Sequence, residues 1–303
     1  MRSKTLRIGT RKSKLALWQA QRAQSLLAQQ GHQSIIVPID SAGDQDLVQP
    51  LYEMGVQGIF TKALDTALLN HHIDLAVHSL KDVPTQLPEG ILLGATLERG
   101  DPRDIIVLKN DQNQLPQEGS IATSSLRRQA QWLRRYPKYT CANLRGNVQT
   151  RLQKLEASNW EGALFALAGL KRLDLLKNQP YQILDWMLPA PAQGAIGICL
   201  RHTEHEIIDV LAAINCSKTQ ACITAERSLM RALQGGCSAP VGALATIDKQ
   251  SINLKGGVYA IDGSTAVEAE ITGSITAADT LGKTLAKTIL SQGGKAILKT
   301  IKN

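Results

Sequence analysis

Short apolar runs alternate with longer segments of helical period through the first two thirds of the chain. This alternation is typical of α/β domains, in which helices cover a mostly parallel sheet. We predict strands at Leu6–Thr10, Ser34–Ile39, Ile73–Val77, Gly119–Thr123 and Tyr139–Asn143, and we note short apolar runs at Leu92–Thr96 and Asp104–Leu108 and a buried run at Gly162–Leu167. Helices are predicted at Lys14–Gln30, Phe60–Leu69, Thr203–Ile214, Cys222–Leu233 and Ala277–Leu290. The first helix should bury Leu15, Trp18, Leu26 and Leu27, and Asp40–Gly58 should form a long mobile loop.

The last third of the chain has a different pattern. From Val241 to Gly273 apolar and polar residues alternate between turn signals, which predicts three antiparallel strands. The helix before them should place its core positions at Ile223, Ala225, Leu229 and Met230. Because 303 residues exceed the usual size of one domain, we expect two or three domains, the last of them a small α+β unit.

Charge points to an anionic partner. The formal net charge is +8, and thirteen Lys/Arg occur against eight Asp/Glu between Asp101 and Asp185. Nucleic acid is one possible class, but the sequence has no RNP, zinc-finger or helix-turn-helix signature. Basic residues that recur at separate strand–helix junctions suit a compact polyanion better than a long phosphate backbone.

The cysteines and the apolar segments argue against a zinc protein and against a membrane protein. The five cysteines form no CxxC pair and have no zinc-like spacing with histidine, so we expect no metal. Four should be reduced core thiols, whereas Cys237 follows two glycines. No apolar stretch is long enough to cross a membrane, and Met1–Thr5 leads into a strand without an apolar leader. We therefore expect a soluble protein that is not exported.

Four predicted junctions carry basic residues at a helix start. In the first, Arg11 and Ser13 precede a helix, an arrangement that binds carboxylate or phosphate. In the second, Arg127 and Arg128 occupy a first helical turn, where the helix dipole disfavours cations, so we infer a bound anion. The other two junctions lie at Leu144–Arg151 and Ala168–Leu173. The alternative is ordinary capped helices with solvated arginines.

The segment His78–Pro84 follows a predicted strand and ends in a residue that cannot donate into a ladder. Lys81 and Asp82 should therefore lie just past the carboxyl end of that strand, where ligands bind in open α/β sheets. An acid beside a base on a short turn suits proton transfer next to a bound anion. The alternative is a surface ion pair without a chemical role.

Seven segments, taken in order, resemble the porphobilinogen deaminase family, also called the hydroxymethylbilane synthases. They are Arg11–Gln19, His78–Pro84, Ser124–Gln129, Leu144–Arg151, Ala168–Leu173, Pro191–Gly197 and Gly235–Cys237. The resemblance implies an α/β fold of two doubly wound domains like those of periplasmic binding proteins, facing each other across a cleft. A small α+β third domain with a three-stranded antiparallel sheet completes it. The corresponding boundaries are 1–98 with 195–215, then 99–194, then 216–303.

The same resemblance implies a transferase of tetrapyrrole (haem) biosynthesis. It would join four porphobilinogen molecules head-to-tail into hydroxymethylbilane and release ammonia. Its primer would be a dipyrromethane cofactor held by a thioether to Cys237. Asp82 would be the catalytic carboxylate, assisting loss of the amino group and stabilising cationic pyrrole nitrogens. The implied cofactor- and substrate-binding residues are Arg11, Ser13, Phe60, Ser79, Lys81, Thr123, Ser124, Ser125, Arg127, Arg128, Arg145, Gly146, Asn147, Arg151, Arg172, Gln193 and Gly194.

Two positions depart from the family's pattern. Gln57 stands where the family commonly has a lysine, so any ion pair from that position is in doubt. Ala192 stands where a glycine often precedes the glutamine. The resemblance also implies a cytoplasmic monomer that acts on a small molecule and binds neither nucleic acid nor membrane.

Two other classes of function stay open. A non-catalytic anion-binding module of the periplasmic type would explain the basic junctions, but it would not explain the Gly-Gly-Cys segment or the Lys81–Asp82 pair. A nucleic-acid-binding protein would explain the sequence pI of about 9.3, and steeply salt-dependent DNA affinity would support it.

Overall fold

The computed structural model describes residues 5–41, 61–109, 115–177, 179–234 and 239–301. The strands are β1 Leu6–Arg11, β2 Ser34–Ile39, β3 Leu75–Ser79, β4 Ile91–Thr96, β5 Asp104–Leu108, β6 Gly119–Ala122, β7 Tyr139–Ala142, β8 Gly162–Ala166, β9 Tyr181–Ile183, β10 Ile196–Arg201, β11 Val241–Asp248, β12 Ser251–Tyr259 and β13 Ala266–Ser274. The helices are α1 Lys14–Gln29, α2 Lys62–Leu69, α3 Leu126–Arg135, α4 Val148–Glu156, α5 Leu167–Arg172, α6 His205–Ala212, α7 Ser217–Ala232, α8 Ala278–Ile289 and α9 Lys295–Ile301.

The first sheet has the strand order β2-β1-β3-β10-β4. β1 runs parallel to β2 and β3, and β10 runs antiparallel to β3 and β4. Helices α1 and α6 pack on one face through Ala23, Leu27 and Leu211, while α2 packs on the other through Leu64 and Leu68. The sheet is therefore doubly wound, as predicted, and its central strands are buried on both faces.

The second sheet repeats this plan with the order β7-β6-β8-β5-β9. β6 is parallel to β7 and β8, whereas β5 is antiparallel to β8 and β9. Leu152 of α4 and Leu170 of α5 pack in the cluster on one face, and Trp132 of α3 packs in the cluster on the other. Helices again cover both faces.

The third sheet is the antiparallel meander β11-β12-β13. Helices α7 and α8 cover it through Ala225, Leu229, Leu281 and Leu285. Two doubly wound α/β sheets and a small three-stranded antiparallel sheet confirm the predicted fold class.

The chain divides into two compact units. The described residues of the first unit lie within Met1–Asp46, Val56–Gly100 and Gly194–Gln220, and those of the second lie within Asp101–Gln193 and Ala221–Asn303. The second unit holds two of the three sheets, so the finer division into three domains stays a prediction.

Several local expectations differ from the structure. The buried face of α1 consists of Ala16, Gln19, Ala20, Ala23 and Leu27. The predicted Leu15, Trp18 and Leu26 are only half-buried. Alanines on the buried face let the helix approach the sheet closely, and the larger side chains then pack at its flanks.

Helix α7 confirms its predicted core, since Ile223, Ala225, Leu229 and Met230 are all buried. It begins five residues earlier than predicted, at Ser217, and the amide of Gln220 bonds the carbonyl of Cys216 at 2.9 Å. The predicted mobile loop lies outside the described residues from residue 42 onward. No helix of the described ranges is long and apolar enough to span a bilayer.

Candidate active site

Two predicted site segments meet at one edge of the first sheet. Because β1 and β3 are parallel neighbours, their carboxyl ends lie at the same edge. β1 ends at Arg11, and β3 ends at Ser79 and runs into a 3-10 turn, Leu80–Asp82. A pocket of about 430 Å³, its opening to solvent included, lies here. Its lining consists of Arg11, Ser13, Leu15, Ala16, Gln19, Thr61, Val77, His78, Ser79 and Asp82.

The structure thus brings together four residues named from the sequence: Arg11, Ser13, Ser79 and Asp82. Lys81, on the same turn as Asp82, is half-buried and is not part of the pocket wall. The expected placement of Asp82 just past a strand is therefore confirmed, while the roles of all these residues stay predictions.

The pocket has a positive end. Ser13 caps α1, with its hydroxyl accepting the amide hydrogen of Ala16 at 3.3 Å. Ser13, Leu15 and Ala16 of this helix start line the pocket. Arg11, the last residue of β1, lines the same pocket. A helix N-terminus and a guanidinium together favour a carboxylate or phosphate.

Gln19 is a pocket residue that sequence reasoning missed. It is 2% exposed, and its Nε2 donates to the Oγ of Ser79 at 2.8 Å. The available signal was a polar residue on the same helical face as Ala16, Ala20 and Ala23. A buried polar side chain needs a hydrogen-bond partner, and the partner of Gln19 is Ser79, the last residue of β3.

His78 is the second missed residue, although it belongs to the segment singled out from the sequence. Burial, and to a lesser extent the charge of Arg11, lowers the pKa of His78 to about 4. Its Nε2 is buried and has no hydrogen-bond partner among the described residues. The imidazole is therefore neutral at pH 7, and it lines the pocket without adding a charge.

In the second unit, the two arginines at the start of α3 meet an internal carboxylate. Arg127 Nη1 donates to Oδ2 of Asp104 at 2.7 Å, and Arg128 Nε donates to Oδ1 at 2.9 Å. Burial alone would raise the pKa of Asp104, but the charges of Arg127 and Arg128 outweigh it and hold the pKa at about 2. The anion inferred from two cations in a first helical turn is thus present within the chain itself.

The hydroxyls before α3 are engaged in local hydrogen bonds. Ser125 caps the helix by accepting the amide hydrogen of Arg128 at 3.5 Å. Ser124 accepts the amide hydrogen of Leu144 at 2.8 Å and also contacts Asn143. Thr123 is buried, and its Oγ1 accepts the amide hydrogen of Ser125 at 3.2 Å. The structure thus assigns these hydroxyls structural roles, and ligand binding by them stays a prediction.

The start of α4 is built in a similar way. Asn147 caps it, accepting the amide hydrogen of Thr150 at 3.0 Å. Gly146 has φ +114, and a Cβ there would approach Cγ2 of Thr150 to 2.8 Å, so only glycine fits. The Nε of Arg151 donates to the carbonyl of Gly146 at 2.8 Å, and Arg145 is buried. The guanidinium of Arg151 therefore lies at the start of α4.

The remaining predicted residues have different settings. Arg172 ends α5 half-buried, and burial lowers its pKa to about 10. Gln193 is fully buried, and Gly194 has φ +85. Phe60 and Cys237 lie outside the described residues, as does Gln57. The described residues contain no cluster of three or more potential metal ligands.

The fold and this pocket define an α/β protein in which a carboxylate and a capped helix start line the same pocket. Residues 6–209 match the family described as "Porphobilinogen deaminase, dipyromethane cofactor binding domain", and residues 220–291 match "Porphobilinogen deaminase, C-terminal domain". The chain belongs to the porphobilinogen deaminase family.

Relatives and solved structures complete the comparison. The chain is 41% identical to a porphobilinogen deaminase of Syntrophotalea carbinolica, over 99% of this chain and 97% of that one. It is 42% identical to a porphobilinogen deaminase of Trichlorobacter lovleyi, over 99% and 98%. Among solved structures it is similar to the Bordetella pertussis BvgS periplasmic VFT2 domain, with 12% identity, a TM-score of 0.42, and 69% of this chain and 86% of that chain covered.

Proposed function

We propose that this chain joins four porphobilinogen molecules head-to-tail into hydroxymethylbilane, releasing ammonia, from a dipyrromethane primer on Cys237. The observation that carries the proposal is the placement of Asp82 in one pocket with Arg11 and the capped start of α1. Membership of the porphobilinogen deaminase family supplies the reaction class.

The pocket suits the substrate's charge. Porphobilinogen carries an acetate and a propionate, and the pocket offers a guanidinium, three hydroxyls and a helix start. The imidazole of His78 is neutral, and its buried Nε2 has no hydrogen-bond partner among the described residues. It therefore adds a polar atom to the pocket wall but no charge. The residues present therefore fit a pyrrole with carboxylate side chains.

Asp82 is the group that moves a proton. It is half-buried on a short turn, so its carboxylate is held near the pocket yet reaches solvent. In its acid form it can protonate a departing amine, and in its ionised form it stabilises positive charge on a pyrrole nitrogen. A carboxylate that exchanges protons with water can return to its starting state after each condensation.

The arginines of the second unit are proposed to bind the carboxylates of the lengthening chain. Each added unit brings two carboxylates, and the second unit has arginines at the starts of α3 and α4 and at the end of α5. When bound, the dipyrromethane supplies the pyrrole carbon that is joined to the first substrate.

The described cysteines support Cys237 as the attachment residue. Burial raises the pKa of Cys141 to about 12, and Cys199 and Cys222 are buried, so these thiols are poor nucleophiles or poorly accessible. Cys216 is half-buried and accepts the hydroxyl hydrogen of Thr219 at 3.2 Å. A bulky adduct requires space, which the buried positions Cys199 and Cys222 lack.

Intact-mass spectrometry tests the proposal directly. The purified chain should exceed its unmodified mass of 32.8 kDa by two deaminated porphobilinogen units. Cys237→Ser should lose both the adduct and the activity, whereas Cys141→Ser should retain both. A wild-type chain of unmodified mass that binds porphobilinogen without turnover would instead indicate a non-catalytic binding module.

The proposal includes a cytoplasmic monomer whose partner is the small-molecule substrate. Light scattering during size-exclusion chromatography tests the oligomeric state, and cell fractionation tests the location. A dimer in solution would overturn only this part of the proposal.

A further inference from the structure

We propose that Asp104 is a positioning residue, which fixes the guanidiniums of Arg127 and Arg128 for the carboxylates of the bound pyrrole chain. This inference rests on the proposed function, because it assigns those arginines a pyrrole carboxylate as their ligand. Asp104 belongs to none of the segments that carry the family resemblance.

The geometry fixes both guanidiniums at two points. Arg127 Nη1 donates to Asp104 Oδ2 and to the carbonyl of Leu188, both at 2.7 Å. Arg128 donates to Asp104 Oδ1 from Nε at 2.9 Å and to the carbonyl of Leu164 from Nη1, also at 2.9 Å. Asp104 itself is fully buried as the first residue of β5. Neither arginine can therefore rotate without breaking a charge-assisted bond.

Stability alone is a poor explanation for this cluster. Burying ions costs several kcal/mol each in desolvation, and well-packed apolar side chains often replace such groups without loss. The helix dipole also disfavours two cations in the first turn of α3. Moreover, the Nε of Arg127 is buried without a hydrogen-bond partner among the described residues. An arrangement that leaves a donor unsatisfied is better explained by binding than by folding.

A third side chain, that of Gln193, hydrogen-bonds Asp104, and its neighbour Ala192 connects to the third sheet through Glu226. Gln193 Nε2 donates to Asp104 Oδ1 at 2.9 Å and to the carbonyl of Pro102 at 2.7 Å. The neighbouring amide of Ala192 donates to Glu226 at 2.7 Å, and the other oxygen of Glu226 accepts the amide hydrogen of Ala245 in β11 at 2.8 Å. In sequence, β11 follows Cys237 closely. The arginines and the strand after the attachment residue are thus connected by these hydrogen bonds together with the backbone that joins Ala192 to Gln193.

Asp104→Asn is the main test, because it keeps the shape of the side chain and removes its charge. Porphobilinogen added to cofactor-free protein should yield the loaded form at least tenfold more slowly, as judged by intact mass. Any loaded enzyme should show a KM raised roughly tenfold, corresponding to loss of a charge-assisted contact. Asp101→Asn is the matched control, since Asp101 pairs with Arg103 at 2.8 Å at a more exposed place. It should change loading and KM by less than twofold.

Gln193→Met provides a second variant that keeps every charge in place. It removes the amide bonds to Asp104 and Pro102 while preserving side-chain length, and it should raise KM roughly threefold. Loading and KM within twofold of wild type in Asp104→Asn, even with a lowered Tm, would overturn the proposal. If Asp104→Asn does not fold, an unchanged KM in Gln193→Met overturns it. Failure of the proposed function is distinguishable, because wild type itself would then gain no mass and form no bilane.

Discussion

Gln19 and Ser79 hydrogen-bond each other across the pocket wall, with 2.8 Å from Nε2 to Oγ and 3.2 Å from Oγ to Oε1. Gln19 lies in α1, whose start carries Ser13, and Ser79 ends β3, which leads to Asp82. The pair therefore holds the start of α1 in place relative to the turn that carries Asp82.

Gln19→Ala should raise KM for porphobilinogen roughly fivefold while lowering the free energy of unfolding by about 1 kcal/mol, because one buried hydrogen-bond pair is lost. Gln24→Ala is the matched control, since Gln24 Nε2 donates to the carbonyl of Ser34 at 2.7 Å from the same helix. It should cost similar stability and leave KM unchanged. Steady-state kinetics with urea denaturation measures both quantities, and equal KM values in the two variants would remove Gln19 from the site.

The sequence could predict the parts of this site that depend on local order. Apolar runs and turn chemistry identify two strands in the sequence. One is followed by Arg11 and Ser13, and the other is followed by Lys81 and Asp82. Parallel pairing then brings their ends together without further information. The antiparallel meander likewise followed from the alternation of apolar and polar residues, whereas the two doubly wound sheets were implied by the family resemblance.

The partners of the polar residues could not be predicted in this way. Gln19 and Ser79 are 60 residues apart, and Asp104 and Gln193 are 89 apart. Hydrophobic periodicity shows that a face is buried but not which distant group satisfies a polar side chain on it. The arginines of α3 illustrate the consequence. Two cations in a first helical turn predicted a bound anion, but sequence order could not indicate that Asp104 supplies a carboxylate from within the chain.

Arg11 and Lys12 offer a test of the pocket's charge at adjacent positions. Arg11 lines the pocket, whereas Lys12 pairs with Asp40 on the surface at 2.7 Å. Arg11→Gln should raise KM roughly tenfold or more, because a charge-assisted contact to a substrate carboxylate is lost. Lys12→Gln should leave KM within twofold. Measuring both at two salt concentrations separates a local contact from general attraction, and equal effects would favour the latter.

His78 predicts a specific pH dependence of stability. Burial and the charge of Arg11 lower its pKa from 6.5 to about 4 in the folded state. Between these values the unfolded chain binds a proton that the folded chain rejects, so the free energy of unfolding falls as pH decreases from about 6.5 to about 4. From pH 7 to pH 5 the contribution is about 2 kcal/mol.

Urea denaturation at both pH values measures this loss in wild type and in His78→Gln, which should lack it. His72→Gln changes an exposed imidazole in the same unit and should behave as wild type. An equal pH slope in wild type and His78→Gln would show that other groups cause the dependence.

Asp82 carries the chemical prediction. Asp82→Asn keeps the size of the side chain but can neither ionise nor donate an acidic proton, so bilane formation should fall ~10²-fold or more. Asp82→Glu keeps the acid and displaces it by about one methylene, so it should be slow but active. Thermal unfolding should be nearly unchanged in both variants, because Asp82 is half-buried on a turn.

Asp209→Asn serves as the control, since it removes an exposed carboxylate of α6 in the same unit. It should turn over porphobilinogen at the wild-type rate. A purely structural ion pair at Asp82 would contribute only ~0–1 kcal/mol to stability and nothing to the rate. Near-normal turnover in Asp82→Asn would therefore assign the proton transfer to another group. A slow Asp82→Glu together with an inactive Asp82→Asn would instead show that the rate depends on the position of one carboxylate.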